Sequence, residues 1–364
     1  MSKQKVELLS PAGNLEKLKI AIKYGADAVY GGVSHFSLRI RASKEFTYET
    51  FKEAIDYAHE RGKKVYATIN GFPFNSQIEL LKTHIKKMAE LKPDAFIVAA
   101  PGVVRLCREI APQIDIHLST QANVLNYLDA QVFWDMGVKR IVVAREISLK
   151  DVMEIKKHLP DMEIEIFVHG SMCFAYSGRC LISAVQMGRV PNRGSCANDC
   201  RFEYTLYAGN DEHGSLFRLE EEPGVGTYIF NSKDMNLASH IQEILDSGAV
   251  DSLKIEGRTK SPYYAAVTAK AYREAIDDYY AGKFEPEKYQ KELHTTKNRG
   301  FTDAYLIHKP FEKTDSQNHD YALSKGSYEV TGLVSEDEEH FYCKYKVYPN
   351  EDIEIFTPHN TVLH

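Results

Sequence analysis

Gly25-Ala-Asp-Ala-Val-Tyr30, Pro93-Asp-Ala-Phe-Ile-Val98 and Gly248-Ala-Val-Asp-Ser-Leu-Lys-Ile255 repeat one pattern: a helix breaker, an aspartate close behind it, then a short apolar run. Each reads as the corner where a helix gives way to a strand. Parallel strands need a crossover of about a dozen residues or more, so the recurrence of this corner predicts repeated βα units. Working outward from it, eight strands are expected: Val6 to Ser10, Ala26 to Gly31, Lys64 to Asn70, Asp94 to Ala100, Ile114 to Ser119, Arg140 to Ala144, Glu163 to His169 and Val250 to Glu256. The segments between them carry helix-end signals. Asn14 caps a helix that stops at Gly25, another closes at Gly62, and Ser148 caps one that ends before Pro160. No Gly-x-Gly-x-x-Gly fingerprint follows the first strand. The class is therefore α/β, and a closed (β/α)8 TIM-type barrel fits better than an open doubly wound sheet.

Unit seven breaks the rhythm. Roughly 60 residues separate the strand ending at His169 from the helix expected near Asp234, far beyond a usual βα loop. We therefore expect a barrel over 1–305 that includes a cysteine-rich insertion over 170–233. A small, incomplete-looking β appendage is expected over 306–364, from the β-formers at Ser327 to Val334 and His340 to Phe356.

A chain of 364 residues with 43% hydrophobic content can bury a full core. Met1 to Lys5 run straight into a strand-like segment, so neither a leader nor a membrane span is expected, and the chain is expected in the cytoplasm. In that reducing compartment the six cysteines are not read as a disulfide framework. The formal charge of −6 excludes global attraction to nucleic acid, so any such partner has to be held by a local basic patch.

In a (β/α)8 barrel the active site forms at the C-terminal ends of the strands. Those ends here supply Ser10, Asn70, Gln121, Asn123, Arg145, Glu146, His169, Lys254, Glu256 and Arg258. Singly, each reads equally well as a loop hydrogen bond or a surface ion pair. Their convergence on one face makes them candidates. Directly after strand seven comes Cys173-x6-Cys180-x15-Cys196-x3-Cys200, in a segment rich in glycine. Four thiolates suit zinc or an iron-sulfur cluster, and spacing alone leaves both open. Arg179, Arg189, Arg193 and Arg201 face only Asp199 between 179 and 201. That basic loop either offsets an anionic thiolate site or grips an anionic substrate, with Lys254 and Arg258 as further cations. His169 can relay a proton near the metal or be a structural histidine. Glu165, four residues earlier on the strand, is expected to face the same side and to pair with Lys254 inside the barrel. Asn298-Arg-Gly-Phe-Thr302 reads as a connector that could close over the mouth.

The run Glu165-Ile-Phe-Val-His-Gly-Ser-Met-Cys173-Phe-Ala-Tyr-Ser-Gly-Arg-Cys180-Leu-Ile-Ser183 resembles the signature of the collagenase-like peptidase family of unknown catalytic type. Leu8-Leu-Ser-Pro-Ala-Gly13, Ala28-Val-Tyr-Gly-Gly32, His117-Leu-Ser-Thr-Gln-Ala-Asn123, Ala144-Arg-Glu146, Lys254-Ile-Glu-Gly-Arg258 and Asn298 to Thr302 extend the resemblance over nearly the whole chain. It implies a 4Fe-4S cluster at the four cysteines, with iron-sulfur assembly machinery as a partner. By overall plan the chain is similar to the family's tRNA branch, which hydroxylates the wobble uridine with dependence on prephenate.

Two function classes follow. The first is a tRNA-modifying enzyme in which Glu165, His169, Lys254 and Glu256 serve the chemistry. Gln121, Asn123, Arg145, Glu146, Arg179, Arg193 and Arg258 would hold tRNA and a small anionic co-substrate such as prephenate. The second is a peptidase built on Cys173 and His169. It lacks a recognisable triad or zincin motif, and thiols used as metal ligands are unavailable for acyl transfer. A scaffold or electron-transfer subunit is a third reading, which the polar barrel mouth opposes.

Overall fold

A computed structural model describes residues 5–33, 36–38, 46–210, 214–218, 230–308, 316–318, 326–328, 330–335, 339–359 and 361–363. Parts of the expected insertion and of the expected β appendage lie outside the described residues. Eight strands form a closed parallel barrel: β1 (Glu7–Pro11), β2 (Ala28–Gly31), β3 (Lys64–Ile69), β4 (Ala95–Val98), β5 (Asp115–Leu118), β6 (Arg140–Val142), β7 (Glu163–Ser171) and β8 (Ser252–Ile255). Each pairs with the next, and β8 pairs with both β7 and β1, which closes the ring.

Helices are set by the caps expected from sequence. The Asn14 side chain accepts from the Lys17 amide at 2.9 Å, and Ser148 does the same for Asp151 at 3.2 Å. The longest helix, Pro262–Tyr280, follows Ser261 as cap and places proline where a missing N–H costs nothing. Alternation along the strands sorts apolar side chains into two layers. Leu9, Ala28, Tyr30, Tyr66, Ala95 and Ile97 fill the barrel, while Leu8, Val29, Val65 and Phe96 pack outward on helix residues such as Leu18, Ile55 and Ile85. Each fully buried leucine, isoleucine, valine or phenylalanine among them contributes roughly 1.5–3 kcal/mol.

The unit after the insertion differs from expectation. Asp234–Asn236 is a strand, antiparallel to the end of β7, and Phe301–Thr302 pairs beside it. The helix follows later, at Ile241–Asp246. The anchor is Arg299, buried and ion-paired to Asp234, so the stretch read as a connector is a locked edge of the site. In the C-terminal region, Gly332–Val334 pairs with Phe341–Cys343, and Glu354–Phe356 with Thr361–Leu363. Phe356 stacks on Tyr24 at 5.5 Å, and the Tyr24 hydroxyl donates to its carbonyl at 2.7 Å. Among the described residues no helix is long and apolar enough to cross a membrane.

Candidate active site at the barrel mouth

Inward-facing positions of β1, β6, β7 and β8 bring Glu7, Arg140, Glu165 and Lys254 together inside the barrel. Lys254 Nζ donates to Glu165 Oε1 at 2.6 Å, and Arg140 Nη1 donates to Glu165 Oε2 at 3.1 Å. Arg140 also donates to Glu7 and, through Nε, to Glu163 at 2.8 Å. The Glu165–Lys254 pair was legible from strand parity. Arg140 was missed, although it holds an inward position of its own strand. Burial pulls the Lys254 ammonium below its ordinary value, with Glu165 opposing that fall. Lys254 Nζ also lies 4.4 Å from the Tyr30 ring centroid.

Above this layer Arg145 stands over Phe167, its guanidinium carbon 3.9 Å from the ring centroid. Among the described residues no carboxylate or carbonyl takes its hydrogen bonds. It is a half-buried cation at the mouth, held over one aromatic ring. Arg258 is the opposite case. It is buried and donates to Ser37 Oγ at 2.7 Å, to Thr68 Oγ1 at 3.1 Å and to the Leu38 carbonyl. Its guanidinium ties down the loop after β2. Glu256 sits at the rim, where its carboxylate accepts from the Ser171 amide at 3.3 Å.

The cysteine loop roofs this mouth and is pinned by the other candidates. Glu146 accepts from the Ser177 amide at 2.9 Å, and Thr120 Oγ1 donates to Ser177 Oγ at 3.5 Å. Gly178 adopts a φ of +75°, and a Cβ there would stand 2.6 Å from the Gln121 carbonyl oxygen, so only glycine permits this approach. Gln121 in turn accepts from Asn70 Nδ2 at 3.0 Å. Asn123 turns the chain in the left-handed region, and its buried Oδ1 has no hydrogen-bond partner. Arg193 Nη2 donates to Gln77 Oε1 at 3.0 Å while its guanidinium covers Phe74. Arg179 is exposed on the roof. Gln121, Glu146 and Arg193 thus position the loop.

His169 does not join this group. Its ring packs against Tyr264, Tyr272 and Phe301 at centroid distances of 5.5–5.8 Å, with the Tyr272 hydroxyl 3.4 Å from Nδ1. The register between β7 and β8 shifts between Lys254 and Ile255, so parity counted from Glu165 no longer places His169 beside the interior charges. Burial drives its pKa down to about 3, which keeps the imidazole neutral.

Cys173, Cys180, Cys196 and Cys200 share the roof loop, where burial raises the Cys180 thiol pKa and pushes that of Cys200 up to about 11. Next to Cys200, Asp199 is buried with neither carboxylate oxygen hydrogen-bonded. Arg201 and Arg299 act on Cys200. Among the described residues no three of His, Cys, Asp and Glu stand at metal-holding geometry. The donor set nevertheless fits a thiolate-bound group. Four thiols share one loop, guanidinium groups offset their charge, and an orphaned carboxylate beside them calls for a cation.

Fold and site together define a (β/α)8 barrel whose polar mouth is roofed by a loop of four thiols. The chain belongs to peptidase family U32, which it matches over residues 13–316. It is 67% identical to tRNA hydroxylation protein P of Helicobacter pylori strain 26695, over 98% of this chain and 85% of that protein. Identity to tRNA hydroxylation protein P of Escherichia coli K12 is 39%, over 98% of this chain and 87% of that one. A collagenase of Porphyromonas gingivalis is 31% identical, over 83% of this chain and 73% of that protein.

Proposed function

We propose that this chain acts in tRNA hydroxylation, on the wobble uridine, with a 4Fe-4S cluster on Cys173, Cys180, Cys196 and Cys200 and a prephenate-derived or similar oxygen donor. The observation that carries this reading is the near full-length similarity to proteins named for tRNA hydroxylation. Replacing C–H by C–OH on a base is a two-electron oxidation, which no ordinary side chain supplies. A bound cluster contributes redox and Lewis-acid chemistry there.

The chain's own residues do the rest. Arg145 receives a carboxylate of the co-substrate in its planar fork, and Lys254 beneath it adds positive potential. Glu165 holds Lys254 in place, Glu256 orients the rim, and the roof excludes water from the space between. Arg179 and Arg193 bear the RNA phosphates. The reading sets the protein in the cytoplasm, where tRNA is.

The similarity to a collagenase raises a peptidase as the second reading. It would need Cys173 activated by His169. Among the described residues no hydrogen bond joins the two, and the imidazole is enclosed by aromatic rings.

The test pairs two measurements. Mass spectrometry of tRNA nucleosides from a deletion strain should show the hydroxylated uridine lost, and restored by the parent gene but not by a Cys196→Ala gene. Protein prepared anaerobically should hold about four irons per chain. Unchanged tRNA would overturn the reading, and stoichiometric zinc without iron or sulfide would overturn the cluster.

A further inference from the structure

The roof loop carries an exposed apolar surface that the chemistry of the mouth does not use. Phe174 is 48% exposed, Tyr176 65% and Phe202 46%, and Leu181 and Val185 present a bare face beside them. Several large apolar side chains left in water on one loop mark a candidate binding surface. Two further observations say what covers it.

The first is charge. Between 179 and 201 the sequence holds four arginines and one aspartate, on a chain whose formal charge is −6, and Arg179 is exposed, its backbone amide donating to the Tyr176 carbonyl at 3.0 Å. The second is placement. Tyr176 directly precedes Ser177, whose amide donates to Glu146 at the rim at 2.9 Å. The ring therefore stands at the edge of the mouth. Phe174 is braced edge-on by Phe230, with ring centroids 4.6 Å apart. A braced aromatic, a second one at the rim and an exposed guanidinium suit unstacked nucleobases with their phosphates. The exposed cation of Arg179 beside this apolar face favours a phosphate-bearing partner over an apolar protein surface.

We propose that Phe174, Tyr176 and Arg179 form a stacking platform for the single-stranded loop nucleotides of the RNA, which holds the target base at the barrel mouth. This rests on the tRNA reading above and adds the surface that recognises the loop. Tyr176 takes a base face, and Arg179 takes the adjoining phosphate.

The experiment titrates the whole 364-residue chain, prepared anaerobically, into a fluorescein-labelled RNA hairpin with a uridine-containing loop, and into a blunt duplex of the same stem. The parent should bind the hairpin in preference to the duplex. Tyr176→Ala and Tyr176→Leu should each weaken hairpin binding by about tenfold, with the salt dependence kept, and Tyr176→Phe should restore it. Arg179→Ala should lower the salt slope by about 0.7, the value for one single-strand phosphate contact. Parental affinity in Tyr176→Leu would show a merely apolar, protein-type surface and overturn the platform. Equal affinity for hairpin and duplex in the parent would do the same. Hairpin binding that depends on Tyr176, in a chain whose deletion leaves cellular tRNA unchanged, would sustain the platform and sink the hydroxylation reading alone.

Discussion

Glu165 and Lys254 meet at 2.6 Å inside the barrel, and Arg140 takes the second oxygen of the same carboxylate at 3.1 Å. One fully buried carboxylate thus bridges two buried cations, and Glu7 and Glu163 supply further counter-charge to Arg140. Removing a member of such a group is costly when it strands the others without a counter-charge.

The two ends of the pair are consequently unequal. Glu165→Gln leaves Lys254 without its carboxylate and strips Arg140 of one of its three, and should cost roughly 3–5 kcal/mol of stability. Lys254→Met leaves Glu165 bonded to Arg140 and should cost clearly less. Denaturant midpoints of the two variants decide the matter. A Lys254→Met protein as unstable as Glu165→Gln would show that Arg140 does not compensate Glu165.

His169 gives the fold an acid sensitivity. Its folded pKa of about 3 lies below the ordinary 6.5, because burial disfavours the imidazolium. The unfolded chain therefore binds more protons than the folded one between those values. The stabilisation is complete above about pH 6.5 and is lost as pH falls toward 3, by up to about 1.4 kcal/mol per pH unit. His169→Phe removes this group, so its stability should fall less steeply than the parent's between pH 6.5 and 5. Parallel curves would show that the ring is not buried neutral.

Arg145 and Arg258 should separate by their effects. Arg145→Gln should raise the prephenate concentration for half-maximal uridine hydroxylation by roughly tenfold to a hundredfold, since a hydrogen bond to a charged group contributes about 1.5–3 kcal/mol. Arg145→Lys should restore it only in part, because an ammonium lacks the planar fork. Arg258→Gln should chiefly lower the melting temperature, by leaving Ser37 and Thr68 without their donor. A normal half-saturating concentration in Arg145→Gln would remove this residue from the site.

Much of the site's neighbourhood was legible because strand parity and barrel topology are local rules. Eight strands with polar C-terminal ends place Arg145, Glu146, Glu256 and Arg258 at one mouth wherever the helices pack. The same rules could not separate their roles. Arg258 ends up buried on Ser37 and Thr68, while Arg145 stands over Phe167 with no hydrogen-bond acceptor among the described residues. That difference depends on the path of a loop some 220 residues away in sequence.

The sequence by itself determined the closed βα barrel, through a repeated helix-to-strand corner, and the grouping of four cysteines and four arginines on one loop. Spacing and periodicity act between near neighbours, so a chain carries them before it folds. Only the tertiary structure decided that Arg140 shares Glu165 with Lys254, that a register shift turns His169 away from the charges, and that Arg299 locks Asp234 into an added strand. Each of these joins groups far apart in the chain inside a low-dielectric interior, where a charge must find a partner and the partner is whichever group the packing brings there.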